Sequence, residues 1–278
     1  MKIGEAFDLY AEYINCNNYS KSTVQRCRRI KKRLIENIGN KSISKLSLEE
    51  IQAYCLEERI RLSINSIYND ICIIRGVLRY CKKRSIKCID YELVPIPKRE
   101  PKTRDFLTEE EVAELIDSTT NIRTKFIISF LYSSGVRLGE MIQLNRDSIQ
   151  DRQFQVIGKG KKVRICFIDQ RTEKYMNQYL AKRKDDNPAL LLSKTSNERM
   201  KEGGIQMAVK NAAKKSHLGK HVTPHVLRHS FATNFLKNNG NIRYLSTMLG
   251  HSSIETTAIY THVMNVDLKS QYRKFHTI

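Results

Sequence analysis

Residues 223–262 are TPHVLRHSFATNFLKNNGNIRYLSTMLGHSSIETTAIYTH, and this stretch decides the fold class of the second half of the chain. It begins with Thr223 and Pro224, a residue type that caps helices followed by one whose fixed φ suits the first helical position. The helix predicted by this pair runs past His225 and Arg228, and Gly250 predicts the end of a further helix. The stretch therefore predicts a helical domain that carries several titratable side chains.

The sequence before this stretch predicts more helices and one β-hairpin. Thr108-Glu109-Glu110-Glu111 is a capping box that begins a helix, and residues 126–144 continue the helical spacing. Residues 153–157 and 163–168 instead alternate like short strands across the turn Gly158-Lys159-Gly160-Lys161. We therefore expect residues 105–278 to form a mixed α+β domain that is mainly helical and contains a small hairpin.

Residues 1–90 predict a separate bundle of four or five helices. A capping box at Ser47-Leu48-Glu49-Glu50 begins one of them. Two other helices show apolar stripes at helical spacing, formed by Ile3, Phe7, Tyr10, Ile14, Ile67, Ile71, Ile74 and Leu78. Between this bundle and the second domain, residues 91–104 alternate prolines with Lys and Arg, which predicts an extended basic linker. The fold class is therefore mainly α in two domains.

The charge of the chain points to a polyanionic partner. The formal net charge is +20, with 20 Lys and Arg against 12 Asp and Glu in residues 1–100 and 29 against 17 in residues 101–278. A basic surplus in both halves suits a protein that binds nucleic acid. Low-complexity basic runs or a strongly cationic amphipathic helix would instead indicate a ribosomal or membrane-surface protein, and the sequence contains neither. The second predicted helix contains a run of basic residues, for which two interpretations are open: contact with a phosphate backbone, or an ordinary solvated surface. These residues are Arg26, Arg28, Arg29, Lys31, Lys32 and Arg33.

Other features of the composition indicate a soluble cytoplasmic protein. No apolar run approaches the ~20 residues that span a bilayer, and the N-terminus lacks the apolar region of a secretory signal. The seven cysteines form no Cys-x-x-Cys pair, so we interpret them as reduced packing thiols and expect no zinc site from them.

Four separated segments carry groups suited to phosphodiester chemistry. They contain Arg137 with Glu140, Lys159, the cluster of His225, Arg228 and His229, and His251 followed by Tyr260. Taken singly, each has an ordinary alternative: an i,i+3 ion pair, a turn lysine, or a buried hydrogen-bonded histidine. The i,i+4 spacing of the histidines at 225 and 229 also fits a zinc pair, but Val226 stands where metalloprotease chemistry needs Glu and no third ligand is evident.

Together, the segments resemble the catalytic domain of tyrosine site-specific recombinases, most closely the compact Xer-like members and related phage and transposon integrases. The resemblance covers the whole chain, because that family also has an N-terminal helical core-binding domain. Gly139 stands where many relatives carry Ser, which leaves the spacing from arginine to carboxylate intact. The matching segments are Ser134-Gly135-Val136-Arg137-Leu138-Gly139-Glu140, Ile157-Gly158-Lys159-Gly160-Lys161, His225-Val226-Leu227-Arg228-His229, Leu249-Gly250-His251 and Thr257-Ala258-Ile259-Tyr260-Thr261-His262.

The resemblance implies a shared role for Arg137, Arg228 and His251. Attack on a phosphodiester builds negative charge on the non-bridging oxygens, and fixed arginine and histidine donors strengthen as that charge grows. These three residues would therefore stabilise the transition state.

The resemblance also implies the roles of the groups that move protons. Tyr260 would attack the phosphate and form a 3′-phosphotyrosyl link, with His225 as the candidate base because tyrosine is mostly protonated at neutral pH. Lys159 would protonate the departing 5′-hydroxyl, and Glu140 would be a supporting residue that orients the histidine or lysine or anchors Arg137. No metal, ATP or other cofactor is needed, because the phosphotyrosyl bond preserves the bond energy.

The partners implied by the resemblance are double-stranded DNA recombination sites. A homotetramer on two sites would act through a Holliday junction, with an accessory DNA-binding or directionality factor as a further partner. Residues 263–278 either dock on a neighbouring subunit or pack on their own domain. Two rivals stay open: a type IB topoisomerase, which shares the chemistry, and a DNA-binding regulator that keeps the fold without cutting. The short two-domain organisation favours the recombinase, and the full set of candidate catalytic groups disfavours the regulator.

Overall fold

A computed structural model of the chain describes residues 1–100, 105–158 and 162–250. The chain divides into two units, Met1–Lys102 and Thr103–Ile278. Within residues 1–100, four α-helices and two 3₁₀ turns form the first unit: α1 Ile3–Cys16, α2 Lys21–Ile38, α3 Leu48–Glu58 and α4 Ile64–Lys83, with the turns at Ile43–Lys45 and Tyr91–Leu93.

Two helices of the first unit, α2 and α3, begin at serine residues that cap them. The Ser20 hydroxyl accepts a hydrogen bond from the backbone N–H of Thr23 at the start of α2. At the start of α3, Ser47 and Glu50 exchange both bonds of a capping box. These side chains satisfy N–H groups that a helix N-terminus leaves without partners, so the local sequence determines where α2 and α3 begin.

The core of the first unit forms from the apolar stripes of α1 and α4. Ile3, Phe7 and Ile14 are at most 2% exposed, and the predicted stripe of α4 is equally buried. Tyr10 instead lies at the edge of the core, where it contacts the rings of Tyr13 and Tyr80. The helical bundle predicted for the N-terminal half is therefore confirmed.

The basic segment that follows α4 packs partly on the first unit. Val94 is fully buried in the core of that unit, and the Asn65 side chain donates to the Glu100 carbonyl over 3.0 Å. The Arg99 guanidinium lies 4.0 Å from the centroid of the Tyr68 ring. Residues 101–104 lie outside the described residues, and the domain bounds at residues 90 and 105 stay a prediction.

A buried ionic cluster joins three helices of the first unit. Arg33 on α2 donates to Glu58 over 2.9 Å and to Asp70 over 2.5 Å, and the Tyr54 hydroxyl donates to Asp70 over 3.0 Å. The two carboxylates are only 3% and 5% exposed. Burial raises the pKa of Asp70 above its ordinary value, although the Arg33 charge and the Tyr54 hydrogen bond oppose this. Arg33 therefore serves the core of the bundle.

Over residues 105–158 and 162–250, the second unit is mainly helical and contains one antiparallel hairpin, as the sequence predicts. Its strands are β1 Gln153–Ile157 and β2 Val163–Phe167, paired so that Phe154 lies opposite Cys166 and Val156 opposite Arg164. Thr223 caps α10 with Pro224 in its first turn. In the described part of this unit, the helices are α5 Glu109–Asp117, α6 Ile122–Ser134, α7 Leu138–Met141, α8 Gln170–Leu180, α9 Glu202–Lys215, α10 Pro224–Lys237 and α11 Ile242–Leu249.

The central helix of this unit is α6, which contacts α5, α8, α9 and α10. Phe126, Ile127 and Phe130 on α6 are fully buried and belong to one core with residues of the hairpin. This packing holds β2 and α10 against the same helix. None of the helices in the described ranges is long and apolar enough to cross a membrane.

We predict that Arg33→Met destabilises the first unit by about 3–5 kcal/mol, because it leaves the buried Asp70 carboxylate without a cation and Glu58 paired only with the exposed Arg61. Loss of the Arg33 charge also raises the pKa of Asp70 further. The destabilisation should therefore be largest at neutral pH and shrink as the pH falls and Asp70 takes up a proton in the folded state. Urea unfolding of the full chain, with hydrogen exchange of α3 and α4 peptides to identify the transition, measures both effects.

The matched control for this prediction is Lys32→Met. Lys32 is the neighbouring residue on α2, its side chain is 77% exposed, and it approaches Glu36 at 3.7 Å. An exposed i,i+4 pair contributes only about 0.3–0.5 kcal/mol. Equal losses in the two variants would show that the buried cluster does not stabilise the bundle.

Candidate active site

Arg137 lies where the chain reverses between α6 and α7. Gly135 ends α6 in the left-handed conformation with φ of 59°, and a Cβ atom added there would lie 2.3 Å from the Phe231 ring of α10. Both the φ angle and this close approach require glycine. Two residues later, Arg137 precedes the first residue of α7, with a side chain that is 38% exposed.

Glu140 is the buried centre of the site, since its side chain is only 9% exposed. It accepts from the Arg137 backbone N–H over 2.7 Å and from the Arg137 Nη1 over 3.1 Å. Arg164 donates to both carboxylate oxygens, over 2.9 and 2.6 Å. Burial favours the neutral acid, but these hydrogen bonds and charges outweigh it, so the pKa of Glu140 is lowered and the group is ionised.

Arg228 brings three separate segments together. It is 7% exposed on α10 and donates through Nη1 to the Gly135 carbonyl, 93 residues away along the chain. Its Nη2 donates over 2.8 Å to the Leu249 carbonyl at the end of α11. The guanidinium is therefore fixed beside both the Arg137 turn and the last residue of α11.

The end of α11 receives three arginines on three consecutive carbonyl groups. Arg164 Nε donates to Met248 over 2.7 Å, Arg228 to Leu249 as above, and Arg137 Nη2 to Gly250 over 3.4 Å. The last carbonyls of a helix lack intrahelical partners and form the negative end of its dipole, which makes them favourable acceptors for cations. This end of α11 therefore gathers the arginines of the site.

The two histidines of α10 have different environments. His225 lies in the first turn and is exposed, whereas His229 is 6% exposed. His225 therefore does not fit the reading of a buried structural histidine, and His229 does. Residues three apart on a helix lie on the same face, so His225 and Arg228 are neighbours. Among the described residues, no group of three or more His, Cys, Asp and Glu side chains is arranged to hold a metal ion.

The structure thus brings together three of the residues predicted from the sequence, Arg137, Glu140 and Arg228, with His225 one turn away. Lys159, His251, Tyr260 and the C-terminal segment 263–278 lie outside the described residues. The two strands on either side of Lys159 are paired up to the turn: Ile157 pairs with Val163, and the Gly158 N–H donates to the Lys162 carbonyl over 2.8 Å.

Arg164 is a residue of this site that the sequence reasoning missed. It occupies an inward-facing position of β2, where its neighbours on the same face are apolar or small, and its side chain is 6% exposed. The strand alternation of residues 163–167 gave the opposite signal, because its apolar residues Val163, Ile165 and Phe167 would be expected to face the core. The structure leaves these three 57%, 44% and 49% exposed and turns Arg164 inward instead. Only the contacts with Glu140 and Met248 show what this residue does.

Comparison with known proteins identifies the family. The sequence model of the phage integrase family matches residues 105–266. The tyrosine recombinase XerD of Oceanobacillus iheyensis is 31% identical over 231 residues, which cover 77% of this chain and 76% of the relative. The tyrosine recombinase XerC of Lactobacillus delbrueckii subsp. bulgaricus is 28% identical over 293 residues, which cover 99% and 98%.

Solved structures share the fold. A lambda integrase tetramer bound to a Holliday junction matches with a TM-score of 0.77 over 91% of this chain and 78% of that chain, at 16% identity. Together with the family match, which spans the segments of Arg137 and Arg228, this confirms the resemblance and the mainly helical fold class predicted from the sequence. The chain therefore belongs to the phage integrase family, as a tyrosine recombinase of the Xer type.

Proposed function

We propose that the six residues Arg137, Lys159, His225, Arg228, His251 and Tyr260 carry out site-specific cleavage and rejoining of DNA. The observation that carries this proposal is the meeting of Arg137 and Arg228 at the adjacent carbonyls of Gly250 and Leu249. Those carbonyls directly precede His251 in the chain. Three proposed phosphate ligands from distant segments are thus connected through one helix end.

Arg137 and Arg228 would bind the non-bridging oxygens of the scissile phosphate. Guanidinium groups that are already fixed by the protein cost little reorganisation when charge develops on those oxygens. Arg228 is fixed by two carbonyls and Arg137 by Glu140, and the partial exposure of Arg137 leaves it open to a ligand. His251 would add a third donor.

Tyr260 would supply the nucleophile. Its Oη attacks phosphorus and forms the 3′-phosphotyrosyl bond as the bond from phosphorus to the 5′-oxygen breaks. The tyrosine proton passes to His225, whose exposure on α10 keeps it accessible, and Lys159 gives a proton to the departing 5′-oxygen. Attack by a 5′-hydroxyl on the phosphotyrosine reverses these steps and rejoins the strand, so no metal or ATP is consumed.

Glu140 would act through Arg137 as a positioning residue. Its carboxylate accepts from both the backbone N–H and the side chain of Arg137, which fixes the arginine at the start of α7. This geometry supports the alternative in which Glu140 anchors Arg137.

The DNA partner would also contact the first unit. Of the six basic residues of α2 considered for this role, Arg33 is committed to Glu58 and Asp70, and Lys31 pairs with Asp8 over 2.7 Å. Arg26, Arg28 and Arg29 are exposed, and Arg26 and Arg29 line a depression of about 510 Å³. We propose these exposed arginines as phosphate contacts.

The active assembly would be a homotetramer on two recombination sites that passes through a Holliday junction. The tetrameric state recorded for lambda integrase supports this proposal. An accessory DNA-binding or directionality factor would set the outcome, and the enzyme would act in the cytoplasm.

We predict that Tyr260→Phe binds its DNA site but forms no covalent adduct, because phenylalanine lacks the attacking oxygen. The site is first identified by sequencing DNA that stays bound to the wild-type protein after denaturation. A nicked substrate carrying that site then traps the adduct, which denaturing electrophoresis detects. The control is Tyr244→Phe, since Tyr244 is 70% exposed on α11. A denaturant-resistant adduct in Tyr260→Phe would contradict the assignment of the nucleophile.

We predict that Lys159→Ala slows the cleavage of ordinary DNA, and that the cleavage rate of this variant is restored when sulfur replaces the 5′-bridging oxygen of the substrate. A thiolate leaves without a proton, so the substrate no longer needs the acid. The control is Lys162→Ala, an exposed lysine of the same turn, which should cleave both substrates like the wild type. The assignment of Lys159 as the acid fails if sulfur restores no activity.

We predict that Arg26→Ala with Arg29→Ala weakens binding of all DNA sequences alike and lowers the slope of log affinity against log salt by about 0.9 for each lost phosphate contact. Fluorescence anisotropy at several salt concentrations measures this slope. Arg61→Ala is the control, because Arg61 is exposed and pairs with Glu58. An unchanged slope in the double variant would remove α2 from the DNA-binding surface.

A further inference from the structure

We infer that Arg164 is a positioning residue of the strand-cleavage reaction, which holds the Glu140 carboxylate and the end of α11 in one fixed arrangement. This inference rests on the proposed function, because it assigns Arg164 to the reaction carried out by Tyr260. Arg164 is not one of the proposed phosphate ligands, and it acts through Glu140, which binds Arg137, and through the C-terminal end of α11.

The first observation is that Arg164 and Arg137 share the Glu140 carboxylate as a hydrogen-bond acceptor. Its two bonds to the carboxylate, 2.9 and 2.6 Å long, leave Arg137 with a longer side-chain contact of 3.1 Å. A bidentate guanidinium is a strong partner for a carboxylate. Arg164 therefore binds both oxygens of Glu140, and the Arg137 guanidinium, with its single longer contact, stays available to bind a phosphate.

The second step is the contact of Arg164 with α11. While Nη1 and Nη2 bind Glu140, Nε donates over 2.7 Å to the Met248 carbonyl. One planar group thus connects α7, β2 and α11. His251 is three residues beyond Met248 in the sequence, so Arg164 is bonded to the helix end that precedes this proposed phosphate ligand.

The third step is the space that the protein leaves for this side chain. Gly250 ends α11 with φ of 62°, and a Cβ atom added there would lie 2.9 Å from the Arg164 Cδ. The side chain of Arg164 is only 6% exposed. Burial of a charge is costly unless partners satisfy it, so the glycine and the two acceptors form a site made for this guanidinium.

A lysine could not replace these contacts. Its ammonium is a point charge on a flexible stem and cannot hold a carboxylate bidentately while also reaching a carbonyl on another helix. Position 164 therefore requires the planar shape of a guanidinium as well as its positive charge.

The test measures single-turnover adduct formation with the nicked substrate for Arg164→Met and Arg164→Lys. A displacement of about 1 Å at reacting groups costs about 100-fold in rate. We expect Arg164→Met to form adduct about 100-fold more slowly than the wild type, with site binding changed less than threefold, and Arg164→Lys to recover part of the loss. Wild-type rates in Arg164→Met would overturn the inference.

A pH profile separates positioning from simple loss of stability. Without Arg164, burial acts on Glu140 with less opposition and raises the pKa of that carboxyl. The cleavage rate of Arg164→Met should therefore fall at a higher pH than the wild-type rate as the solution is acidified. In the double variant Arg164→Met with Glu140→Gln, no carboxyl remains and this shift should vanish. A uniform loss at every pH in both variants would contradict the inference.

The matched control is Arg183→Met. Arg183 is also 6% exposed, donates to Asp185 over 2.6 Å and binds backbone carbonyls, but it lies after α8 and contacts none of the proposed site residues among the described partners. It should lose comparable stability and keep the wild-type rate and pH profile in its folded fraction. An equal rate loss in Arg183→Met would assign the effect of Arg164 to stability.

The wild-type reaction distinguishes the two possible failures. If the wild-type chain forms no adduct on the trapped site, the proposed function fails and the role of Arg164 fails with it. If the wild type forms adduct and Arg164→Met does so equally fast, only the inference about Arg164 is overturned.

Discussion

The site depends on one buried carboxylate, Glu140, held between Arg137 and Arg164. An ionised group that is 9% exposed is stable only when donors surround it, and here four hydrogen bonds from two arginines do so. Those bonds set the direction of the α7 turn and tie it to the hairpin. Removal of either partner would leave a buried charge, so the arrangement behaves as a unit, and its parts should show coupled effects.

The C-terminal end of α11 completes this unit. A helix end exposes carbonyls that need donors, and Arg164, Arg228 and Arg137 each supply one to successive residues. The same arginines are cations that a phosphate would attract. In this strongly basic protein, the carbonyl end of α11 and the Glu140 carboxylate therefore offset part of the positive charge of the site.

The first unit also contains an arginine bonded to buried carboxylates, but there the arrangement joins helices of the core. Arg33 lies between Glu58 and Asp70 in a bundle core, where it joins α2, α3 and α4. Arg33 lines the same depression as Arg29, but its guanidinium is committed to two carboxylates, whereas Arg28 and Arg29 are exposed. Charge in the sequence therefore does not by itself indicate contact with DNA.

The sequence by itself determined the helices, the hairpin and the identity of the family. Capping residues such as Ser47, Thr108 and Thr223 act on N–H groups within one turn, and strand alternation is equally local, so both can be read without the fold. The motifs around Arg137 and Arg228 were recognisable because their spacing within each segment is short. Only the tertiary structure decided which charged side chains meet. Arg164 contacts Glu140 and Met248, which are 24 and 84 residues away, and Arg33 contacts Asp70 at 37 residues. Such pairs follow from the packing of whole elements, which no local pattern encodes.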